Sequence, residues 1–211
     1  MNLPQKHRIL ILASGRGSNF AALTDAVKSG KIPHAIVVAL VCNNPQAPAL
    51  GLASTRGIAC QIIDSSRFRI EVKFERERYE EELFRMIDGL RPDFLCLAGY
   101  MLILGERILS KWKGKIVNIH PSLLPRFEGL HAIRQALEAG VSVTGCTVHW
   151  VTETLDGGTI IAQRQVEVYE GDTEDSLSQR LLPIEHQTYV EAMAKLCAVR
   201  KKGSRPAHTI K

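Results

Sequence analysis

An apolar strand, a glycine-rich turn and a helix open this chain, and their order restricts the possible folds more than any other feature. Residues 9–13 form a continuous apolar run, which is typical of a strand buried on both faces of a parallel sheet. Residues 14–19 read Ser-Gly-Arg-Gly-Ser-Asn, and residues 20–27 carry apolar side chains at helical spacing. Such a turn presents backbone N–H groups and the positive end of a helix to a phosphate. We therefore predict an α/β fold with an anion site after its first strand.

The same turn resembles the glycine-rich turn of a dinucleotide-binding site, but it departs from that pattern. Phe20 stands where the dinucleotide fingerprint requires a third small residue. The second predicted strand, 35–42, leads into Asn43 and Asn44, where that fingerprint would place an acidic residue. Both departures favour a monophosphate site. The glycines are also compatible with a tight structural turn that binds no ligand.

Apolar strands and helical segments alternate through the rest of the chain, which predicts a Rossmann-like, mostly parallel twisted sheet with helices on both faces. The further predicted strands are 35–42, 60–63, 94–98, 115–119, 142–152 and 158–168. The further predicted helices are 48–56, 72–90, 106–112, 130–139 and 172–199, and 64–69 is assigned as a charged linker. The turn at 154–158 makes the last two strands antiparallel, so the C-terminal half adds antiparallel strands. Pro183 is expected to kink or split the last helix.

Composition indicates a single globular domain. The 211 residues are 45% hydrophobic and 23% charged, with a net charge of +5, which is ordinary for a globular protein of this length. We predict one domain over 1–211, with a phosphate-binding N-terminal half (1–115), a catalytic half (116–200) and a basic tail (201–211). The tail is interpreted as a solvated end rather than as a nucleic-acid patch.

Cysteine usage and apolar run lengths indicate a cytoplasmic protein. The five cysteines are scattered and none is in a CxxC pair, which favours free thiols in a reducing compartment. The apolar run near the N-terminus is too short for a signal-peptide core or a membrane span. We expect small-molecule partners, no nucleic acid and no membrane, and a monomer or a homodimer.

An amide and an imidazole mark the end of the predicted strand 115–119. Asn118 and His120 are two residues apart, so their side chains point to the same face of the strand. Pro121 and Pro125 then prevent the strand from continuing. An amide donor beside an imidazole suits a reaction that develops negative charge on a carbonyl oxygen. On spacing alone, a strand end with a hydrogen-bonded histidine explains these residues equally well.

Asp156 is the acidic residue best suited to pair with His120, although its Asp-Gly-Gly setting also suits a plain turn. A carboxylate beside an imidazole favours the imidazolium form. A charged His120 and the Asn118 amide could then bind an oxyanion, and His120 could carry the proton that an attacking amine loses. No serine or cysteine has a nucleophile setting, and no histidine or acidic cluster has metal spacing. These residues favour direct transfer between two bound substrates.

Four ordered motifs resemble those of the phosphoribosylglycinamide formyltransferases. They are SGRGSN at 14–19, NIHPSLLP at 118–125, GLH at 129–131 and LDGG at 155–158, and the resemblance covers about residues 9–195. NIHPSLLP marks the wider folate-dependent formyltransferase superfamily, and the other motifs narrow it. The resemblance implies transfer of a formyl group from 10-formyltetrahydrofolate, as co-substrate and without a metal, to the amine of glycinamide ribonucleotide in de novo purine (IMP) biosynthesis. The products would be formylglycinamide ribonucleotide and tetrahydrofolate.

The resemblance also implies roles for individual residues. The matching catalytic residues are Asn118, His120 and Asp156. The matching ribonucleotide-binding residues are Gly17, Ser18, Asn19 and Glu185. The matching folate-binding residues are Arg76, Met101, Leu102, Ile103, Leu104 and Asn118, although the apolar loop 99–104 would by itself be assigned to the core.

Three positions depart from the family pattern. Leu102 stands where the family usually has arginine, Glu128 replaces a common proline, and Ile133 replaces a frequent histidine. These departures bear on folate affinity more than on the type of reaction.

Other functions fit the sequence less well. A methionyl-tRNA formyltransferase would carry an arginine-glycine element where this chain has Phe-Glu-Gly-Leu-His, and a C-terminal RNA-binding domain. A formyltetrahydrofolate hydrolase would need an N-terminal regulatory domain. A catalytically silent nucleotide-binding module is disfavoured by the intact Asn118, His120 and Asp156, and an NAD-binding protein by Phe20.

Overall fold

A computed structural model of the chain describes residues 5–70 and 73–199. In this part of the chain the main sheet has seven strands in the order β3-β2-β1-β6-β7-β8-β9. The strands are β1 (His7–Ala13), β2 (Ala35–Cys42), β3 (Cys60–Ile62), β6 (Phe94–Leu97), β7 (Ile116–His120), β8 (Val143–Trp150) and β9 (Ile160–Glu167), and a two-stranded hairpin adds β4 (Arg69–Ile70) and β5 (Lys73–Phe74). The helices are α1 (Ser18–Lys28), α2 (Ala49–Thr55), α3 (Arg76–Leu90), α4 (Glu106–Lys111), α5 (Ala132–Glu138) and α6 (Glu174–Cys197).

The predicted fold class is confirmed. The five neighbouring strands β3, β2, β1, β6 and β7 pair in parallel. Strands β8 and β9 are added antiparallel beside β7. Side chains of β1 alternate between two cores, with Ile9 and Ile11 in one and Leu10 and Leu12 in the other. Residues of α1, α2 and α6 contribute to the first core, and residues of α3 and α4 to the second. The two faces of the sheet are therefore both covered by helices, which explains the continuous apolar run.

Two local predictions were wrong. The predicted linker 64–69 is a 3₁₀ helix, Ser65–Phe68, that continues into the β4–β5 hairpin, and α3 begins at Arg76 rather than at 72. The 3₁₀ helix is capped by the Asp64 carboxylate, which accepts from the Ser66 N–H at 2.9 Å. Phe68 is buried and packs edge-to-face against Tyr79 of α3, with ring centroids 5.4 Å apart. Short-range capping and one aromatic contact thus order a segment whose charges suggested a linker.

The last helix is continuous, so that of the two expected effects of Pro183, a kink or a split, the split is wrong. Pro183 lies at an exposed position inside α6 and does not split this 24-residue helix. Its N-terminus has a capping box, in which Thr173 and Ser176 exchange side-chain and backbone hydrogen bonds. The predicted basic tail 201–211 lies outside the described residues. No helix in the described ranges is both long and apolar enough to cross a membrane.

The strand order creates a crevice at the carboxyl ends of the central strands. From β1 the chain moves to β2 on one side, and β6 returns to pair with β1 on the other side. Ligands of open α/β sheets bind at such a switch point, outside the carboxyl ends of the strands. The carboxyl ends of β1, β6 and β7 lie next to one another and carry the predicted site residues.

Candidate active site

A cleft of about 270 Å³ opens beyond the carboxyl ends of β1 and β6. Its lining residues are Ser14, Gly15, Arg16, Gly17, Ser18, Asn19, Ala98, Gly99, Met101, Leu182 and Glu185. Helix α1 begins at this cleft, and no side chain caps its first turn. Uncapped N–H groups and the helix dipole favour a bound anion. The cleft thus brings together the predicted ribonucleotide residues Gly17, Ser18, Asn19 and Glu185.

The turn needs glycine at position 17 for two reasons. Gly17 has φ 77°, a left-handed backbone that residues with a Cβ rarely adopt. A Cβ there would also lie 2.6 Å from Cβ of Ala49, at the start of α2. The turn is fastened to α2 by a hydrogen bond from the Ala49 N–H to the Gly15 carbonyl, at 3.1 Å. Backbone packing therefore sets the shape of the anion site.

Asn19 and Glu185 form the polar wall of the cleft. The Asn19 amide donates to Oε2 of Glu185 at 2.8 Å, and its buried Oδ1 has no partner among the described residues. Burial raises the pKa of Glu185, and the hydrogen bond from Asn19 offsets part of that effect. Glu185 consequently holds a proton more readily than an ordinary glutamate, which reduces its repulsion of a bound phosphate.

Four side chains form a polar cluster beside the cleft: Asn118, His120, His149 and Asp156. Asn118 pairs in register with Leu97 of β6 on one side and with His149 of β8 on the other. Asn118 therefore connects the cluster to the cleft, since Ala98 and Gly99 follow Leu97 directly. His120 is 5% exposed and His149 is 1% exposed, so both imidazoles are removed from solvent.

Asp156 lies between the two imidazoles. Its Oδ2 is 3.5 Å from Nδ1 of His120 and its Oδ1 is 3.5 Å from Nε2 of His149, while the Gly129 N–H donates to Oδ2 at 2.8 Å. Burial by itself would raise the pKa of Asp156, but His149, the Gly129 N–H and the charge of His120 outweigh it, and the net pKa lies below 3.8. The structure therefore brings the predicted trio together, with an ionised carboxylate at its centre.

Both ring nitrogens of His120 face acceptors. Nδ1 faces Asp156, and Nε2 lies 2.8 Å from the Phe127 carbonyl oxygen. A doubly protonated ring would donate in both directions, whereas a neutral ring could donate in only one. Nε2 is thus held by the protein's own backbone, and an incoming substrate oxygen has to replace the Phe127 carbonyl to reach it.

His149 is the residue of this cluster that sequence reasoning missed. Its Nε2 is 3.2 Å from the Asn118 amide nitrogen, and its Nδ1 is 3.0 Å from the Trp150 carbonyl oxygen. The signal was present in β8, where buried Thr147 and His149 alternate with the apolar Cys146 and Val148. Polar residues that share one face of a buried strand indicate that this strand also contributes side chains to the polar cluster.

Backbone strain is concentrated in the two loops that support the cluster. Phe127, His131 and Asp156 have φ of 59°, 60° and 49°, a region that non-glycine residues rarely occupy. Such strain persists only where the surroundings enforce it, and it is enriched at active sites. The Gly129–Asp156 hydrogen bond joins these two loops.

The predicted folate residues are placed in an alternating pattern. In the apolar loop, residues 99–104, the side chains of Met101 and Ile103 are 61% and 63% exposed. Leu104 is buried and Leu102 packs against the second core. Of these four residues, Met101 and Ile103 therefore have exposed side chains, while Leu102 and Leu104 anchor the loop.

Arg76 contacts this loop rather than standing apart from it. Its Nη2 donates to the Ile103 carbonyl at 2.9 Å and its Nε to Glu80 at 2.8 Å. All three family departures lie outside the cleft lining. Leu102 packs against the second core, Ile133 packs against the first core, and the Glu128 carbonyl accepts from Gln135 at 3.0 Å. Within the described ranges, no three His, Cys, Asp or Glu side chains are grouped as metal ligands.

Known proteins match this chain over most of its length. Residues 7–193 match the family model described as formyl transferase. The phosphoribosylglycinamide formyltransferase of Escherichia coli (strain K12) is 44% identical over 181 residues, which cover 86% of this chain and 82% of that protein. A crystal structure of glycinamide ribonucleotide transformylase 1 from Symbiobacterium toebii matches with a TM-score of 0.86 and 39% identity, over 92% of this chain and 89% of that one.

A much longer relative matches as well. The trifunctional purine biosynthetic protein adenosine-3 of Drosophila melanogaster is 43% identical over 193 residues, which are 91% of this chain. The chain spans only 14% of that protein's length, and 14% and 18% of two further adenosine-3 proteins.

Proposed function

The chain belongs to the formyl transferase family, and we propose that it transfers the formyl group of 10-formyltetrahydrofolate to the amine of glycinamide ribonucleotide, in purine biosynthesis. One observation carries the choice of substrates. An anion cleft at the start of α1 and the polar cluster lie side by side at the carboxyl ends of the strands. A phosphorylated amine bound in the cleft would place its reacting end beside Asn118 and His120. The trifunctional relatives' other activities are not part of this proposal.

The ribonucleotide binds in the cleft. The backbone N–H groups of Gly17, Ser18 and Asn19 receive its phosphate at the positive end of α1. Glu185, which already accepts from Asn19, contacts the ribonucleotide from α6. The folate binds along the apolar loop, where Met101 and Ile103 supply exposed apolar surface. The Leu102 side chain packs against the second core, so Leu102 would meet the folate through its backbone.

The polar cluster carries the chemistry. The amine nitrogen attacks the formyl carbon, a C–N bond forms, and the carbonyl electron pair becomes an oxyanion. The Asn118 amide and the Nε2–H of His120 stabilise that oxyanion, after the substrate oxygen replaces the Phe127 carbonyl. Asp156 faces Nδ1 of His120 and orients its ring.

Collapse of the tetrahedral intermediate breaks the bond between the formyl carbon and N10 of the folate. His120 gives its proton to the departing N10 and recovers one from the attacking nitrogen, so that the proton lost by the amine is returned to tetrahydrofolate. No covalent enzyme intermediate is required.

The test is to mix purified protein with glycinamide ribonucleotide and 10-formyltetrahydrofolate and to follow formation of tetrahydrofolate and of formylglycinamide ribonucleotide in equal amounts. Absence of turnover by the folded protein would contradict the proposal. Tetrahydrofolate formed without the ribonucleotide would instead indicate hydrolysis, and formylation of charged methionyl-tRNA would indicate the tRNA enzyme.

We also propose a cytoplasmic location, small-molecule partners without nucleic acid or membrane, and a monomer or homodimer. All five cysteines are free thiols, and four of them are buried, which supports a reducing compartment. Light scattering during gel filtration measures the oligomeric state. The division of the single domain into 1–115, 116–200 and 201–211 stays a prediction.

A further inference from the structure

Ser14 is bonded twice to the apolar loop, although it belongs to the turn that forms the anion cleft. Its N–H donates to the Gly99 carbonyl at 3.0 Å, and its Oγ accepts from the Met101 N–H at 2.9 Å. These bonds extend the β1–β6 pairing by one residue beyond the sheet, after the bond from the Ala98 N–H to the Leu12 carbonyl. Ser14 is therefore the point where the two predicted substrate sites meet.

The hydroxyl of Ser14 still has a proton to donate. A serine hydroxyl can accept two hydrogen bonds and donate one. Over residues 5–70 and 73–199, Oγ accepts from Met101 and donates to no protein acceptor. Ser14 is half-buried and lines the cleft together with Gly17 and Asn19. Its unused proton is thus available to an acceptor oxygen bound in the cleft.

The far end of the apolar loop is anchored independently of Ser14. Arg76 donates to the Ile103 carbonyl, and Leu104 is buried in the second core. At the cleft end, Met101 is attached through its N–H to a single serine side chain. The neighbouring Tyr100 hydroxyl hydrogen-bonds to that of Tyr79, but it is the Ser14 hydroxyl that holds the Met101 N–H itself.

We propose that Ser14 is a positioning residue that couples the two substrate sites, and this inference rests on the proposed function. Its O–H donates to a phosphate oxygen of the ribonucleotide while its Oγ holds the Met101 N–H. Hydrogen bonds in series polarise one another, and a fixed hydroxyl restricts the loop that receives the folate. Each substrate binds more tightly when the other is present, and the two enhancements are equal because coupling is reciprocal.

The coupling is measured by binding without reaction. Tetrahydrofolate has no formyl group to transfer, so its Kd can be measured by calorimetry with and without saturating glycinamide ribonucleotide. We expect the ribonucleotide to lower this Kd about five-fold in the wild-type protein, at the low end of the usual coupling range. Ser14→Ala removes both hydroxyl bonds. The ratio of the tetrahydrofolate Kd without ribonucleotide to the Kd with it is then expected to fall to about one. Ser14→Thr keeps the hydroxyl and is expected to restore it.

Ser18→Ala is the matched control. Ser18 lines the same cleft but makes no bond to the apolar loop in the described part of the chain. At saturating ribonucleotide we expect Ser18→Ala to keep the five-fold ratio. A ratio near one in the wild-type protein, or a five-fold ratio in Ser14→Ala, overturns the coupling.

Thermal unfolding establishes that Ser14→Ala is folded, and Ser14→Cys, with its weak donor, replaces it if it is not. A merely structural role would weaken binding of tetrahydrofolate equally with and without ribonucleotide, which also overturns the proposal. Failure of formyl transfer with a persistent five-fold ratio would count against the proposed reaction and leave the coupling standing.

Discussion

The polar cluster and the apolar loop lie side by side at the carboxyl edge of the sheet, but they are built differently. Asn118, His120 and His149 project from paired strands, the two histidines are almost fully buried, and Asp156 is fixed by the Gly129 N–H. In the described part of the chain, the apolar loop lies outside the strands, is bonded to β1 only through Ser14, and exposes Met101 and Ile103. The difference suggests that the strands hold the groups that react, where small displacements are costly, while the loop adjusts affinity for the folate.

The largest expected effect is in the cluster. His120→Ala and Asp156→Asn should each lower kcat by at least ~10²-fold, the usual scale for acid–base and oxyanion groups, with little change in either KM. Steady-state kinetics measure both parameters. His34→Asn, which lies at the opposite end of the sheet at φ 53°, is the control. Activity near that of the wild type in either cluster variant would remove the assigned roles.

A smaller effect is expected where the loop is anchored. Arg76→Ala should raise the KM for 10-formyltetrahydrofolate by about 3–10-fold and leave kcat largely unchanged, because it loses an exposed charged hydrogen bond to the Ile103 carbonyl. Arg85→Ala is matched to it, since Arg85 forms an ion pair of the same type with Glu81 but has no loop contact among the described residues. If both variants had the same KM for 10-formyltetrahydrofolate, the hydrogen bond between Arg76 and the Ile103 carbonyl would have no role in folate binding.

Alternation within the apolar loop can be tested by comparing neighbours. Leu102→Ala should lower the free energy of unfolding by about 1–2 kcal/mol, since Leu102 packs against the second core. Met101→Ala should leave stability within about 0.5 kcal/mol, because its side chain is 61% exposed, and should raise the KM for folate about two-fold. Urea unfolding and steady-state kinetics separate the two. The reverse pattern would contradict the orientation of the loop.

The smallest expected effect is a pH-dependent change in stability caused by Glu185. Its pKa is raised above 4.5 by burial, so Glu185 contributes stability that is complete below pH 4.5 and is lost as pH rises through the raised value. Glu185→Gln should therefore be more stable than the wild type at neutral pH, with the difference vanishing below pH 4.5. Melting temperatures from pH 4 to 8 test this. Glu191→Gln, on the same helix but paired with Arg164, should show no such gain.

Much of this molecule could be predicted from local pattern. The order of strands and helices follows from apolar periodicity, and Asn118, His120 and Asp156 are indeed neighbours. His149 was missed because its role depends on the register between β7 and β8, which the sequence does not display. The β4–β5 hairpin was missed because charged residues cover a segment held by the burial of Phe68. The contact between Arg76 and Ile103 spans 27 positions and depends on how α3 packs beside the loop.

The packing of Gly17 on Ala49 constrains how relatives of this chain can diverge. The two positions are far apart in the sequence, yet a missing Cβ on one makes room for a single methyl group on the other. A larger residue at 49 would push the turn outward and widen the space for a phosphate, whatever the residues that touch the ligand. In an alignment, size at these two positions should therefore vary jointly or not at all.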